Sequence, residues 1–120
     1  MKIISARAYQ TELPYPGVYK LSGGREYRSF TTTVIRLETD TGLVGWGESC
    51  PFGGTYIEAH AGGVLAALHE LAPALLGLDP RDPEALYAVM NQTLVGQAAA
   101  KSALDLALCC LLYTSDAADD

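Results

Sequence analysis

Two glycines set into a strand constrain the fold of this chain more than any other feature. Thr31-Thr32-Thr33-Val34-Ile35 is a β-branched run, stiff at χ1 and better suited to a pleated surface than to a helix. Residues 28–38 are therefore expected to form a strand. Glu38-Thr39-Asp40-Thr41-Gly42 follows, with Gly42 able to take the positive φ of a tight turn, and residues 43–48 return as the next strand of a hairpin. In that returning strand Gly45 and Gly47 alternate with Val44, Trp46 and Glu48. Side chains alternate between the faces of a strand, so one face is bare and lets another element approach closely. Something must cover that face. Trp46, on the opposite side of the pleat, reads as a core aromatic.

Before the hairpin, residues 2–13 place Ile4, Ala6 and Ala8 at alternate positions, the period of a half-buried strand. Pro14 and Pro16 are expected to stop that strand near Leu13. Residues 14–28 hold turn formers and aromatics in a stretch too long for a simple hairpin turn, which predicts a long functional or mobile loop. After the hairpin the period changes. Thr55-Tyr56-Ile57-Glu58 has the form of a capping box, in which the Thr55 hydroxyl and the Glu58 carboxylate would each satisfy a free backbone N–H, so a helix is expected from Thr55. Ile57, Ala61, Val64, Leu65, Leu68, Leu71, Ala72 and Leu75 then form one apolar stripe. Pro73 should bend or end this helix. Asp82-Pro83 is an N-cap followed by proline at the first helical position, opening a second helix to about Asn91. Beyond Gly96 a third runs from Gln97 to about Leu112, apolar on nearly every face and so expected to pack on more than one side. Three strands followed by three helices is an α+β pattern: a three-stranded antiparallel meander, then a three-helix bundle.

The chain has 120 residues, 49% of them hydrophobic, which suits one domain with a modest core. Asp and Glu outnumber Lys and Arg by 14 to 8 and no basic stripe is present, which argues against nucleic acid as a partner. Residues 1–7 lack a long apolar stretch, so no signal peptide is expected, and residues 98–112 are interrupted by Lys101, Ser102 and Asp105 and fall short of a bilayer span. A cytoplasmic protein with no membrane partner is the expectation. Cys50 stands far from the adjacent Cys109 and Cys110, a spacing that suits neither a disulfide framework nor a metal site.

Motifs that could carry chemistry are few. Glu48, Glu58 and His60 form the compact titratable group, but acid/base work needs two of them converging on one proton, and Glu58 already has a capping role, so the group is read as structural. Gly45-Trp46-Gly47 lacks the serine of a nucleophile elbow, and the glycines from Gly42 to Gly47 lie in a hairpin rather than ahead of a helix, which removes a phosphate-binding reading. Asp105, in an apolar helix, needs a partner; Lys101, four residues earlier on the same face, is the expected one.

The order of elements, with TTTVIRLETDTGLVGWGE, LAPALLGLDP and AKSALDLAL within it, resembles the amino-terminal domain of the mandelate racemase and muconate lactonizing group of the enolase superfamily, over residues 1–108. LSGGR at residues 21–25 and GESCPFGGTY at residues 47–56 look most like the branch of hydroxyproline betaine epimerases and cis-3-hydroxyproline dehydratases. The resemblance implies an enolase amino-terminal domain-like fold that caps a following β/α barrel, with the loops at residues 14–28 and 49–56 closing over a small carboxylate substrate. It implies a parent enzyme that removes the proton next to that carboxylate, as a racemase, epimerase or dehydratase. Mg2+ would be bound by the barrel, which is absent here together with the acid/base residues. The parent is expected to be a homo-oligomer. No catalytic residue and no metal ligand transfers to this chain, and the fragment alone is expected to be inactive. Tyr56 and Phe52 are the leading candidates for lining the substrate pocket, because an aromatic face attracts the cationic ring of a proline betaine. Tyr19, Ser22 and Cys50 are further candidates from the same loops, with loop packing as the plain alternative.

After Leu108 the resemblance stops. Residues 110–120 read as an in-frame translation of a transposon-end adapter used in sequencing libraries, and Cys109 as a tryptophan codon altered at the junction, so residues 109–120 are expected to be foreign to the family. The alternative to a truncated cap is a standalone small-molecule or protein-binding module without catalysis.

Overall fold

The computed structural model describes residues 1–119. Its elements are β1 (Ile3–Lys20), β2 (Glu26–Thr39), β3 (Val44–Ser49), α1 (Ala61–Leu75), α2 (Pro83–Thr93) and α3 (Ala98–Asp119), with a 3-10 turn at Ser22–Gly24 joining the first two strands. The strands form one antiparallel sheet in the order β1-β2-β3, an open meander with the three helices on one face.

Register follows from the alternation of residue types. Ala6 pairs with Leu37 and Ala8 with Ile35, while Ile35 and Leu37 pair in turn with Gly47 and Gly45. This places Ile35 and Leu37 on the helix-facing side, fully buried between the glycines of one neighbour and the alanines of the other. The turn between β2 and β3 is closed by Gly42 at φ 83° and by the Thr39 amide donating to the Leu43 carbonyl at 2.9 Å. The bare face of β3 is covered by α3: the backbone at Ala103 and Ala107 lies directly against Gly47 and Gly45.

The α1 stripe supplies Val64, Leu68, Leu71 and Leu75 to the core, α2 adds Leu86 and Met90, and α3 adds Leu104, Leu108 and Leu111. Each fully buried leucine contributes about 1.5–3 kcal/mol relative to exposure, so the helix layer is held on mainly by this surface. The Asp82 carboxylate caps α2 by accepting from the Ala85 amide at 3.3 Å, with Pro83 opening the helix as expected. By length and composition α3 could cross a membrane, but it packs on β3, β2 and α1 as the central helix of the layer, and Leu106 on its far side is half exposed.

Four expectations are overturned. β1 does not stop at Leu13: it stays paired with β2 through Pro14 opposite Ser29, slips register, and resumes at Tyr19 opposite Tyr27. Proline is tolerated because β1 is an edge strand, where the missing N–H need not face a partner. Residues 14–28 are thus mostly hairpin rather than loop. α1 begins at Ala61, not Thr55, with His60 at its N-cap position and no side-chain cap. It ends at Leu75, two residues past Pro73. Trp46 is not a core residue; it is 49% exposed on the outer face of the sheet, with the Arg36 guanidinium 5.8 Å from its ring centre. Lys101 does not pair with Asp105: its ammonium donates to Asn91 Oδ1 at 2.9 Å and to the Leu94 carbonyl at 2.6 Å, while Asp105 accepts from the Tyr87 hydroxyl.

Candidate functional site

The long hairpin and the segment after β3 meet at one end of the sheet. Pairing of β1 with β2 carries Tyr15, Tyr19, Tyr27 and Phe30 to that end, and the residues following Ser49 bring Phe52 and Tyr56 to them. Six rings pack together there. Tyr19 stacks on Phe52 with centroids 5.5 Å apart, Phe52 meets Phe30 edge-on at 5.1 Å, and Tyr56 meets Phe52 edge-on at 5.4 Å. Tyr15 completes the far side against Tyr19 at 5.4 Å, and Tyr27 lies 5.7 Å from Phe30. Such edge-to-face and offset contacts add about 0.5–1.5 kcal/mol per pair beyond burial.

Polar contacts lock the two segments to each other. The Arg25 guanidinium donates to the Thr55 carbonyl at 2.6 Å and to the Ser22 carbonyl at 3.0 Å, and the hydroxyls of Tyr27 and Thr55 are 3.1 Å apart. Thr55, expected to cap a helix, is therefore engaged by the hairpin instead. The ring of Tyr27 presses on Gly53, where a Cβ would come within 2.7 Å of it.

Of the five candidate lining residues, the structure brings Tyr19, Phe52 and Tyr56 into one cluster. Ser22 sits in the 3-10 turn at the hairpin tip, and Cys50 is exposed with a free thiol beside the buried Pro51. Tyr15, Tyr27 and Phe30 join the cluster although sequence reasoning did not single them out; the aromatic density of residues 15–30 was the available signal. Tyr56 is 53% exposed and offers its ring to whatever lies above the cluster.

Beside the rings, a cavity of about 420 Å3 opens between the hairpin, the segment after β3 and the start of α1. Glu12, Tyr27, Phe30, Gly53, His60 and Ala61 help to line it. Gln10 ties β1 to the start of α1, donating from Nε2 to the Ala61 carbonyl at 2.7 Å and to Thr33 Oγ1 at 3.0 Å. The Glu48, Glu58 and His60 group is divided. Glu48 accepts from the Thr32 hydroxyl at 2.6 Å on the sheet, whereas Glu58, which does not cap α1, lies with His60 at a separate small cavity near the first turns of α1 and α3. Among the described residues no three His, Cys, Asp or Glu side chains gather as a metal site requires.

Comparison with known proteins agrees with this architecture. A profile of the mandelate racemase / muconate lactonizing enzyme N-terminal domain matches residues 21–113. The chain is 41% identical over 108 residues to a cis-3-hydroxy-L-proline dehydratase of Roseibium aggregatum, covering 89% of this chain and 29% of that protein. It superposes with a TM-score of 0.87 and 55% identity on a mandelate racemase/muconate lactonizing protein of Roseovarius nubinhibens crystallised with magnesium, covering 90% of this chain and 29% of that one. A dipeptide epimerase of Enterococcus faecalis, solved with Mg and the dipeptide L-Leu-L-Tyr, superposes with a TM-score of 0.89 at 27% identity over 97% of this chain and 32% of that one. The chain therefore spans about 30% of the length of the relatives it matches. With its meander, its helix layer and this extent of similarity, the chain belongs to the mandelate racemase / muconate lactonizing enzyme family and corresponds to the N-terminal domain of its members.

Proposed function

We propose that residues 1–108 are the substrate-capping domain of a magnesium-dependent racemase, epimerase or dehydratase that removes the proton next to a substrate carboxylate, with a proline derivative as the substrate class. The observation that carries this reading is the six-ring cluster, built by two separate segments and tied together by Arg25 and Thr55 at one end of the sheet. A cap has three tasks that such an end suits: to present a shaped apolar surface, to exclude water from the reacting centre, and to hold the substrate in one orientation. Tyr56 and Phe52 supply the apolar face, with Tyr19 behind them; Ser22 and Cys50 take places at the rim. The name of the Roseibium relative, together with the loops at residues 21–25 and 47–56, supports a proline derivative.

Magnesium and the acid/base residues belong in this reading to the barrel, and this chain alone is inactive. The full enzyme is a cytoplasmic homo-oligomer whose barrel is the cap's own partner. In this reading residues 109–120 are foreign to the family, and the family profile, which extends through residue 113, supports that only beyond residue 113.

The test begins with the source DNA. Sequencing past codon 108 should show a frame that continues through a tryptophan codon into a barrel. The full protein should then exchange the α-proton of a proline derivative with solvent deuterium, and chelation should stop the exchange. A genuine stop after codon 120 would overturn the truncated-enzyme reading in favour of a standalone binding module, and exchange indifferent to chelator would overturn the metal assignment.

A further inference from the structure

The outer face of the sheet, opposite the helices, has the composition of a contact surface. Alternation along the strands puts Arg7 and Tyr9 of β1, Val34 and Arg36 of β2, and Trp46 and Glu48 of β3 on it, because Ala6, Ala8, Ile35, Leu37, Gly45 and Gly47 face the helices. Trp46, the one tryptophan of the chain, is 49% exposed there, and Tyr9 is 47% exposed. Large aromatic side chains with arginine beside them are the residues in which the centres of protein interfaces are enriched.

The charges on this face are unbalanced within one copy. Register sets Arg7 directly opposite Arg36, and Arg36 directly opposite Trp46. Like charges in that position repel. Arg36 is neutralised by Glu38 at 3.1 Å, and its guanidinium lies 5.8 Å from the Trp46 ring centre. Arg7 is exposed, and among the described residues its guanidinium has no acidic partner. Glu48 is also exposed and forms no ion pair among the described residues; its Oε2 accepts from the Thr32 hydroxyl. The two cannot neutralise each other within one sheet, because β2 lies between their strands and holds them about 9–10 Å apart.

A second copy resolves both imbalances at once. When two sheets stack outer face to outer face about a two-fold axis running along β2, β1 of each copy lies over β3 of the other. Arg7 then faces Trp46 and Glu48 of the second copy, gaining an aromatic face and a carboxylate together, and Val34 meets its own counterpart on the axis. The barrel does not compete for this surface in the capping reading: the ring cluster lies at one end of the sheet, and the outer face stands at right angles to that end.

We infer that the outer face of the sheet binds the same face of a second copy of this chain, so that the parent enzyme pairs cap to cap, with Arg7 of each copy held by Trp46 and Glu48 of the other. The inference takes from the proposed function only that the ring end meets the barrel.

The experiment reads assembly on the full, barrel-bearing protein. In sedimentation velocity Arg7→Glu, which sets an acid against Glu48 of the second copy, should raise the dissociation constant of the pair about tenfold or more, and Glu48→Lys should do the same. The two substitutions together should restore it to within about threefold, a recovery that a merely unfolded variant could not give. Cross-linking locates the contact. Val34→Cys should yield a covalent dimer with a bismaleimide spanning about 10 Å, the spacing of stacked sheets, whereas Glu84→Cys on the exposed first turn of α2 should yield none above the unsubstituted protein. A monomeric protein, assembly indifferent to Arg7→Glu, or no cross-link through Val34→Cys would overturn the inference. α-Proton exchange is measured separately: its absence would sink the proposed function and leave the pairing result standing, and an active protein without this pairing would do the reverse.

Discussion

Gly47 and Ala103 are in backbone contact: a Cβ built on Gly47 would lie 1.8 Å from the Ala103 carbonyl oxygen. Both partners are main chain, so neither can rotate out of the way. Gly47→Ala must push α3 off β3, at a cost of about 3 kcal/mol or more. Gly54→Ala is the control, since its Cβ would meet only His60 Cβ at 3.8 Å and should change stability by less than about 1 kcal/mol. Urea unfolding of the full protein and the two variants would measure the difference.

Phe52 and Tyr56 should separate packing from recognition. Phe52 touches the rings of Tyr19, Phe30 and Tyr56, so Phe52→Ala is expected to cost about 1–3 kcal/mol of stability. Tyr56 touches Phe52 alone within the ring cluster and is half exposed, so Tyr56→Ala should leave stability within about 0.5 kcal/mol. On the proposed function it should nevertheless raise KM for a cationic carboxylate about tenfold. Thermal melts and steady-state kinetics on the same two variants check both halves.

Arg25 joins the hairpin tip to Thr55 by a charge-assisted hydrogen bond. Such a bond is worth about 1.5–3 kcal/mol, so Arg25→Ala should speed amide exchange around residues 53–59 by about tenfold or more while leaving α1 and α3 protected. Hydrogen exchange read by mass spectrometry would detect it. Uniform acceleration across the chain would instead mean that Arg25 supports the whole fold.

Tyr87 donates to Asp105, and that hydrogen bond, with burial and the nearby negative charge, pushes the phenol up to about 12. The folded value lies above the ordinary value of about 10, so the contact stabilises fully below about pH 10 and its contribution is lost as pH rises through about 12. Tyr87 is 40% exposed, and solvent screening keeps that contribution under about 1 kcal/mol. Ultraviolet titration should show a late-titrating tyrosine that disappears in Tyr87→Phe and moves back toward its ordinary value in Asp105→Asn.

The parts of the fold that could be read from sequence were those decided by local chemistry. The β-branched run of β2, the Gly42 turn, the Asp82-Pro83 start of α2 and the bare glycine face all depend on backbone preferences that a few neighbouring residues settle. The misread parts depended on distant partners. Thr55 and Glu58 have the spacing of a capping box, but Tyr27 and Arg25, far away in sequence, engage Thr55 first. Pro14 and Pro16 looked like the end of a strand because nothing local says that β1 lies at the sheet edge. Trp46 follows the pleat correctly, yet which side is covered depends on where the helices pack. The same holds at the candidate site. Tyr19, Phe52 and Tyr56 were suggested by their loops, whereas Tyr15, Tyr27, Phe30 and Glu12 become neighbours of that site only through the extended pairing of β1 with β2.

That extended pairing also has a mechanical meaning. Between Pro14 and Tyr19 β1 takes five residue steps against the two that β2 takes from Ser29 to Tyr27, so the hairpin projects only about 10 Å beyond Ser29 at roughly 3.3 Å per residue, with a bulge at its base. It has the geometry of a lever arm with its fulcrum at the slip. A swing of about 10° there would carry the tip through about 2 Å, and the bond from Arg25 to Thr55 would make the segment after β3 travel with it.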